Sequence, residues 1–279
     1  MKEYYRLTKP GMVYGNAMTA LAAFVFAAGV AVSFPLLVAT ILGLSLSIAG
    51  ACVVNNVMDR DIDVHMKRTQ GRAIPNGRIP VRGALIFGAV LIVIGLGSLY
   101  FFTNLLTFLI TLLGVFAYIA LYTPAKRLTV HSTIIGAAAG AVPPVVGYVA
   151  VMNVLNETAV LLFIILVCWQ MTHFFAIAIF RLEDYRNAKL PVMPVSMGIL
   201  PTKVLMFVHA VLFAVAVYAL YLVNTLGLIY TIPMTILTIG WVSIAGAGFF
   251  VQNDARWARK TFFYSLILLV GFSLAIALS

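Results

Sequence analysis

Charge is what this sequence has least of. Only 9% of its 279 residues are Asp, Glu, Lys or Arg, and the acids number eight. Mean hydropathy is +1.08. A water-soluble domain carries roughly a quarter of its residues as charges, so that class is excluded. Polar stretches long enough to fold as a second domain are also lacking, which leaves one integral membrane domain over residues 1–279. Cysteine is scarce. Cys52 and Cys168 fall inside apolar runs without the spacing of a disulfide framework or a metal site, and read as packing residues. There is no GxSxG, no CxxCH and no phosphate-binding P-loop, which argues against an elbow serine, covalent haem attachment and Walker-type nucleotide binding. No soluble basic domain or reading helix points to nucleic acid.

What the chain has instead is long apolar runs. A bilayer core needs about 20 helical residues to cross, and nine candidate spans are predicted at about 11–32, 36–57, 83–102, 105–122, 132–151, 158–180, 203–223, 228–250 and 261–278. The first has a basic flank, as a secretory signal does, but exceeds a signal core of roughly 7–15 residues and is read as retained. The fold class is all-α, a polytopic membrane helical bundle. All 18 Lys and Arg lie before the first span or in every second loop after it. The positive-inside rule then predicts a cytoplasmic N-terminus, cytoplasmic charged loops and an outside C-terminus in a multi-pass cell-membrane protein. The net charge of +10 sits on that face and suits anionic headgroups of the lipid bilayer as well as an anionic substrate. Two charged loops, 58–82 and 181–202, are long and hold most of the acidic residues, so function is expected there.

The first of these loops opens with NNVMDRDIDVHMKRTQGR, residues 55–72. Asn55, Asp59 and Asp63 recur every fourth residue, one face of a helix, whereas Asp61 lies about 200° from Asp59. If the second span continues as helix, the three form an oxygen ladder at its end. Hard oxygens in small number suit Mg²⁺, which keeps waters and accepts phosphate oxygens. Lys67, Arg68 and Arg72 follow at once. Carboxylates bind metal, metal binds diphosphate, and cationic side chains clamp the remaining phosphate oxygens. A solvated helix end with topological charges explains the bases but not the ladder.

A second polar cluster closes span 6 in WQMTHFFAIAIFRLEDYRNAKLP. His173, Arg181 and Asp184 share a face if the helix is continuous, with about 16 Å between first and last. His173 then lies within the membrane, where an ionisable group is a functional candidate; its bland reading is a buried, hydrogen-bonded structural histidine. His209 has no polar company and reads as structural, and His65 and His131 are ambiguous near loops. Between the clusters, YTPAKRLT places Lys126 and Arg127 on the charged side, and GAAAGAVPPVVGY in span 5 pairs Gly136, Gly140 and Gly147 with Pro143 and Pro144. Small residues permit close helix approach. Broken backbone bonding in lipid requires a cavity or a protein partner, so an interior cavity is expected beside span 5.

These residues carry a resemblance. NNVMDRDID matches the NxxxDxxxD signature of the intramembrane, UbiA-type prenyltransferase superfamily. The wider set, with YTPAKR, GAVPPVVGY, WQMTHFFAIAIFRLEDY and DARWARKTF, resembles its haem-farnesylating branch, from TKPGMVYGN at residues 8–16 to the last span. The resemblance implies about nine transmembrane helices around a central cavity, dependence on Mg²⁺, and transfer of farnesyl from farnesyl diphosphate to a vinyl group of haem B to give haem O. It implies that Asn55, Asp59 and Asp63 hold metal, that Asp184 holds a second ion or orients the basic groups, that Lys67, Arg68, Arg72, Lys126 and Arg127 hold diphosphate with Arg181 beside them, and that His173 and Tyr122 face the acceptor, His173 toward either iron or propionates. A contact with a haem A synthase or a terminal oxidase pathway is a further expectation. Where related quinone-pathway enzymes carry the first Asp of a second acidic motif, this chain has His173, which departs from a second carboxylate-rich metal set. Two rivals remain at this level: a prenyltransferase for a quinone or chlorin precursor, and a transporter. The transporter is disfavoured because no span centre bears Asp, Glu, Lys or Arg.

Overall fold

The computed structural model describes residues 1–279, and nine helices in it are long and apolar enough to cross a membrane: Pro10–Ala28, Phe34–Met58, Val81–Phe102, Leu105–Leu128, Ser132–Met152, Glu157–Phe180, Ile199–Asn224, Leu228–Phe250 and Asp254–Ala277. They correspond one for one to the nine apolar runs. The first ends earlier than expected, at Gly29, and the ninth begins earlier, at Asp254 behind an Asn253 cap that accepts from the Arg256 N–H at 2.9 Å. Hydropathy alone does not see those ends, because a capped polar turn is still helix.

Lipid supplies no hydrophobic drive between helices, so close packing and polar contacts must hold the bundle. The second and third spans are pressed together through glycines. A Cβ on Gly50 would stand 2.5 Å from the Gly88 carbonyl oxygen. The fifth span meets the first in the same way, since a Cβ on Gly147 would stand 2.0 Å from Ala20 O. Elsewhere large side chains fill the interior: Phe213, Tyr230, Trp241 and Phe272 are almost fully buried in one cluster joining the later spans to the fifth and sixth. The fifth and sixth spans are the central ones, with 67% and 61% of their most apolar windows buried against 11% for the fourth.

Three irregularities shape the interior. The fifth span breaks at Ala141, between helical segments Ser132–Gly140 and Val142–Met152. Pro143 and Pro144 fall in the first turn of the second segment, where absent N–H groups cost nothing. The break borders a cavity, as the sequence suggested. The fourth span widens into a π-helical turn at Ala117–Tyr122, a feature often found at functional sites. The second span ends at Met58, and after Asp59, at φ −92° and ψ 0°, a short helix Arg60–Asp63 follows.

Candidate active site at the charged end of the bundle

The turn at Asp59 interrupts the helix without losing its register. The Asp59 N–H donates to Asn55 O and the Asp63 N–H to Asp59 O, both at 2.9 Å. Asn55, Asp59 and Asp63 therefore keep one face, all three are at most 5% exposed, and all line a cavity of about 480 Å³. Asp61 points away to the surface, where Arg127 grips it with two bonds of 2.7 and 2.8 Å. The expected ladder is present, but on a helix that bends rather than one that continues.

Each rung has a cationic partner. Asp63 takes both its oxygens to Arg72 Nη1, at 2.9 and 2.7 Å. Asp59 Oδ2 pairs with Lys126 Nζ, while Asp59 Oδ1 is buried with no hydrogen-bond partner. Asn55 Oδ1 accepts from Lys9 Nζ, and its amide nitrogen donates to Thr123 Oγ1 at 3.0 Å. Thr123 in turn donates to Tyr118 O at 2.8 Å, within the π-helical turn that brings Tyr118 and Tyr122 to the cavity wall. Lys9 was not anticipated as a site residue. A lysine immediately before Pro10 reads as a topological charge, yet at φ 52° the chain turns there and its ammonium reaches a side chain 46 positions away. Tyr185 lines the same mouth, and burial pushes its phenol up, keeping it a neutral donor.

The basic residues divide. Arg68, Arg72 and Lys126 line the cavity with Lys9; Lys67 and Arg127 do not. Lys67 is exposed and contributes its backbone N–H, which donates to Asp184 Oδ1 at 3.2 Å. Arg127 is engaged by Asp61 and by Met58 O. Arg181 and Asp184 also lie off the cavity wall. The helix of the sixth span stops at Phe180, Arg181 caps it at φ −112°, and Leu182–Asn187 starts a new helix, so the face shared by His173, Arg181 and Asp184 on paper is split in space. Asp184 instead ties the two long loops together, with Ile62 and Met66 packed on Ala178, Leu190 and Val192 beneath it. Its Oδ2 is buried without a hydrogen-bond partner, 4.0 Å from Arg181 Nη1. No group of three His, Cys, Asp or Glu stands together as a metal cluster: the carboxylates at the cavity are those of Asp59 and Asp63, with the Asn55 amide on the same face, and Asp184 stands apart.

Away from the charges the cavity is mostly apolar, walled by Leu44, Ile48, Val142, Pro143 and Leu166, with Trp169, Gln170, His173 and Phe174 on the same wall nearer the charged end than Leu166. His173 is 8% exposed and lies roughly 10 Å along the helix from Phe180. Tyr122 lines the cavity between mouth and body, its ring against Gly136. Trp169 was missed by reading the sequence, since an aromatic in an apolar span carries no signal of its own. His209 bonds its own helix at Leu205 O, and His65 and His131 are exposed; none of the three lines the cavity.

An acidic and basic mouth over a largely apolar chamber defines a class, and comparison with known proteins agrees. Residues 16–267 match the UbiA prenyltransferase family, and the chain belongs to it. Among its relatives, proteins named protoheme IX farnesyltransferase are 41% identical over 276 residues in Acinetobacter baylyi, covering 99% of this chain and 94% of that one, and 42% identical over 273 residues in Protochlamydia amoebophila, covering 98% and 96%. Solved structures share the fold at low identity. The structure described in a study of digeranylgeranylglyceryl phosphate synthase in membranes superposes with a TM-score of 0.83 at 18% identity, over 99% of this chain and 97% of that one. A UbiA homologue from Archaeoglobus fulgidus bound to GPP and Mg²⁺ gives 0.64 at 15%, over 99% and 100%. The chain is a multi-pass membrane prenyltransferase.

Proposed function

We propose that this protein transfers the farnesyl group of farnesyl diphosphate to a vinyl group of haem B. The observation that carries the reading is the cavity itself, which joins buried oxygens and four cations at one end to a mostly apolar chamber whose wall carries Trp169 and His173. Identity of about 40% along nearly the full length of the farnesyltransferase relatives supports the same acceptor. The donor set fits Mg²⁺: three oxygen-bearing side chains, hard in character, with the orphaned Asp59 Oδ1 needing a partner. Asn55, Asp59 and Asp63 would hold the ion, and when bound it neutralises diphosphate charge as the allylic carbon–oxygen bond breaks. Asp184, apart from these three, orients the loop that carries Lys67 and Arg68.

This chain's own groups do the rest. Lys9, Arg68, Arg72 and Lys126 receive the negative charge that grows on the departing diphosphate. The farnesyl cation forms above walls that exclude water until the acceptor is in place. The vinyl π-electrons form the new carbon–carbon bond, and a water molecule then adds to the cation left beside the ring and loses a proton, giving the hydroxyl of the product. No protein nucleophile is needed. The charged end is assigned to the cytoplasmic face of the cell membrane, with the N-terminus there and the C-terminus outside.

Purified protein incubated with haem B, farnesyl diphosphate and Mg²⁺ is expected to yield haem O, identified by mass. Prenylation of a quinone or chlorin precursor but not of haem B would overturn the acceptor while leaving the class intact.

A further inference from the structure

The imidazole of His173 is held from one side only. Its Nδ1 lies 2.6 Å from Ser265 Oγ on the ninth span. A serine hydroxyl has one proton, and Ser265 gives it to the Phe262 carbonyl at 2.5 Å. Toward His173 the hydroxyl can therefore only accept, so Nδ1 carries the ring proton and Nε2 keeps a bare lone pair. Nε2 has no hydrogen-bond partner, and the residue lines the cavity although it is more than nine-tenths buried.

The support around the ring is unusually complete for a histidine that bonds nothing with its second nitrogen. Trp169 stacks on it with centroids 4.7 Å apart and planes 18° apart, and Trp169 Nε1 donates to Ser265 O at 2.8 Å. Phe262 covers it at 5.0 Å and Phe174 meets it at 5.6 Å. One serine thus fixes both the indole and the imidazole, and no cation faces the ring from these neighbours. An imidazole whose far N–H is anchored by an oxygen is the arrangement of a metal-ligating histidine.

We infer that His173 Nε2 is an axial ligand to the iron of the haem substrate, an inference that rests on the acceptor proposed above. The same proton count excludes the other role open to this residue: a nitrogen with no proton cannot donate to a propionate. Coordination is reversible donation of the lone pair, with no change of oxidation state, and a single neutral ligand lets the product leave. Its effect is positional. It pins the macrocycle against the wall of the sixth span so that a ring substituent meets the farnesyl cation.

The test uses tag-free protein in detergent, titrated with ferric haem B in the absence of farnesyl diphosphate. Wild type is expected to show the visible spectrum of imidazole-ligated haem. His173→Ala should lose that spectrum and bind haem at least about tenfold more weakly, and added free imidazole should restore the band. Ser265→Ala should keep the band and weaken binding by about tenfold. Binding of farnesyl diphosphate, measured separately, should be unchanged in both variants and so certify the fold. A wild-type spectrum in His173→Ala overturns the ligation alone. A wild-type protein that binds no haem yet prenylates another acceptor overturns the acceptor as well.

Discussion

Replacing Asp59 by Asn removes one charge from a buried carboxylate while keeping its size. Asp59 Oδ2 is the counterion of Lys126, and Oδ1 is the orphaned oxygen of the metal-ready face. Two effects follow. Losing an anionic ligand to the diphosphate-bound ion should cut turnover at least about a hundredfold, roughly 2.7 kcal/mol of transition-state stabilisation. Leaving Lys126 buried without its partner should also destabilise the fold, by up to about 3–5 kcal/mol if the pair is fully dry and less here, because the lysine is 14% exposed at a cavity mouth. Asp61→Asn is the matched control. The Arg127 guanidinium beside Asp61 holds its carboxyl at about 2, below the ordinary carboxylate range, so the substitution removes a full charge at any working pH. Yet the Asp61 side chain is 62% exposed, and a surface pair of this kind is worth about 0–1 kcal/mol. Turnover at saturating substrates and thermal melting in nanodiscs separate the two effects. The double variant Asp59→Asn with Lys126→Met should recover melting temperature and stay inactive. If Asp61→Asn is as inactive as Asp59→Asn, or if the double variant regains turnover, the division between cavity-facing and surface carboxylates is wrong.

Other outcomes are expected. Chelation by EDTA should abolish turnover and added Mg²⁺ restore it; full activity in thoroughly metal-free buffer would refute the reading of the Asn55, Asp59 and Asp63 face. Lys9→Gln should raise the KM for farnesyl diphosphate by about tenfold, the scale of one charge-assisted contact, with little change in melting temperature, and an unaltered KM would return Lys9 to a purely topological role. Gly147→Ala should lower stability by about 1–3 kcal/mol, because its Cβ would meet backbone at Ala20 rather than a movable side chain; an unchanged melt would mean the first and fifth spans can part freely. Reporters fused after Pro201 and at the C-terminus should report opposite sides of the membrane, the first cytoplasmic, and the same side for both would break the alternation of the nine spans.

The number and order of the spans were legible in the sequence because each bilayer crossing must satisfy its own backbone hydrogen bonds, which makes length and hydropathy sufficient. The ladder of Asn55, Asp59 and Asp63 was legible for a related reason: a period of four is a local property of a helix, and it survived the turn at Asp59 because the i to i+4 bonds did. The outward aim of Asp61 came from the same arithmetic. What failed was the extrapolation of that arithmetic across Arg181, where the helix ends and Asp184 is redirected to the Lys67 backbone. Nothing local to residues 173–184 marks that stop, since the contact that rewards it comes from a loop more than a hundred positions away. The pairings of Lys9 with Asn55, Lys126 with Asp59 and His173 with Ser265 are likewise tertiary. Each joins residues on or at the ends of different spans, and the separation of partners along the chain leaves no periodic trace. Sequence alone determined which residues face one side of a helix. Which helix stands opposite, and so which lone pairs and carboxylate oxygens are left free for a ligand, was decided by the packing of the bundle.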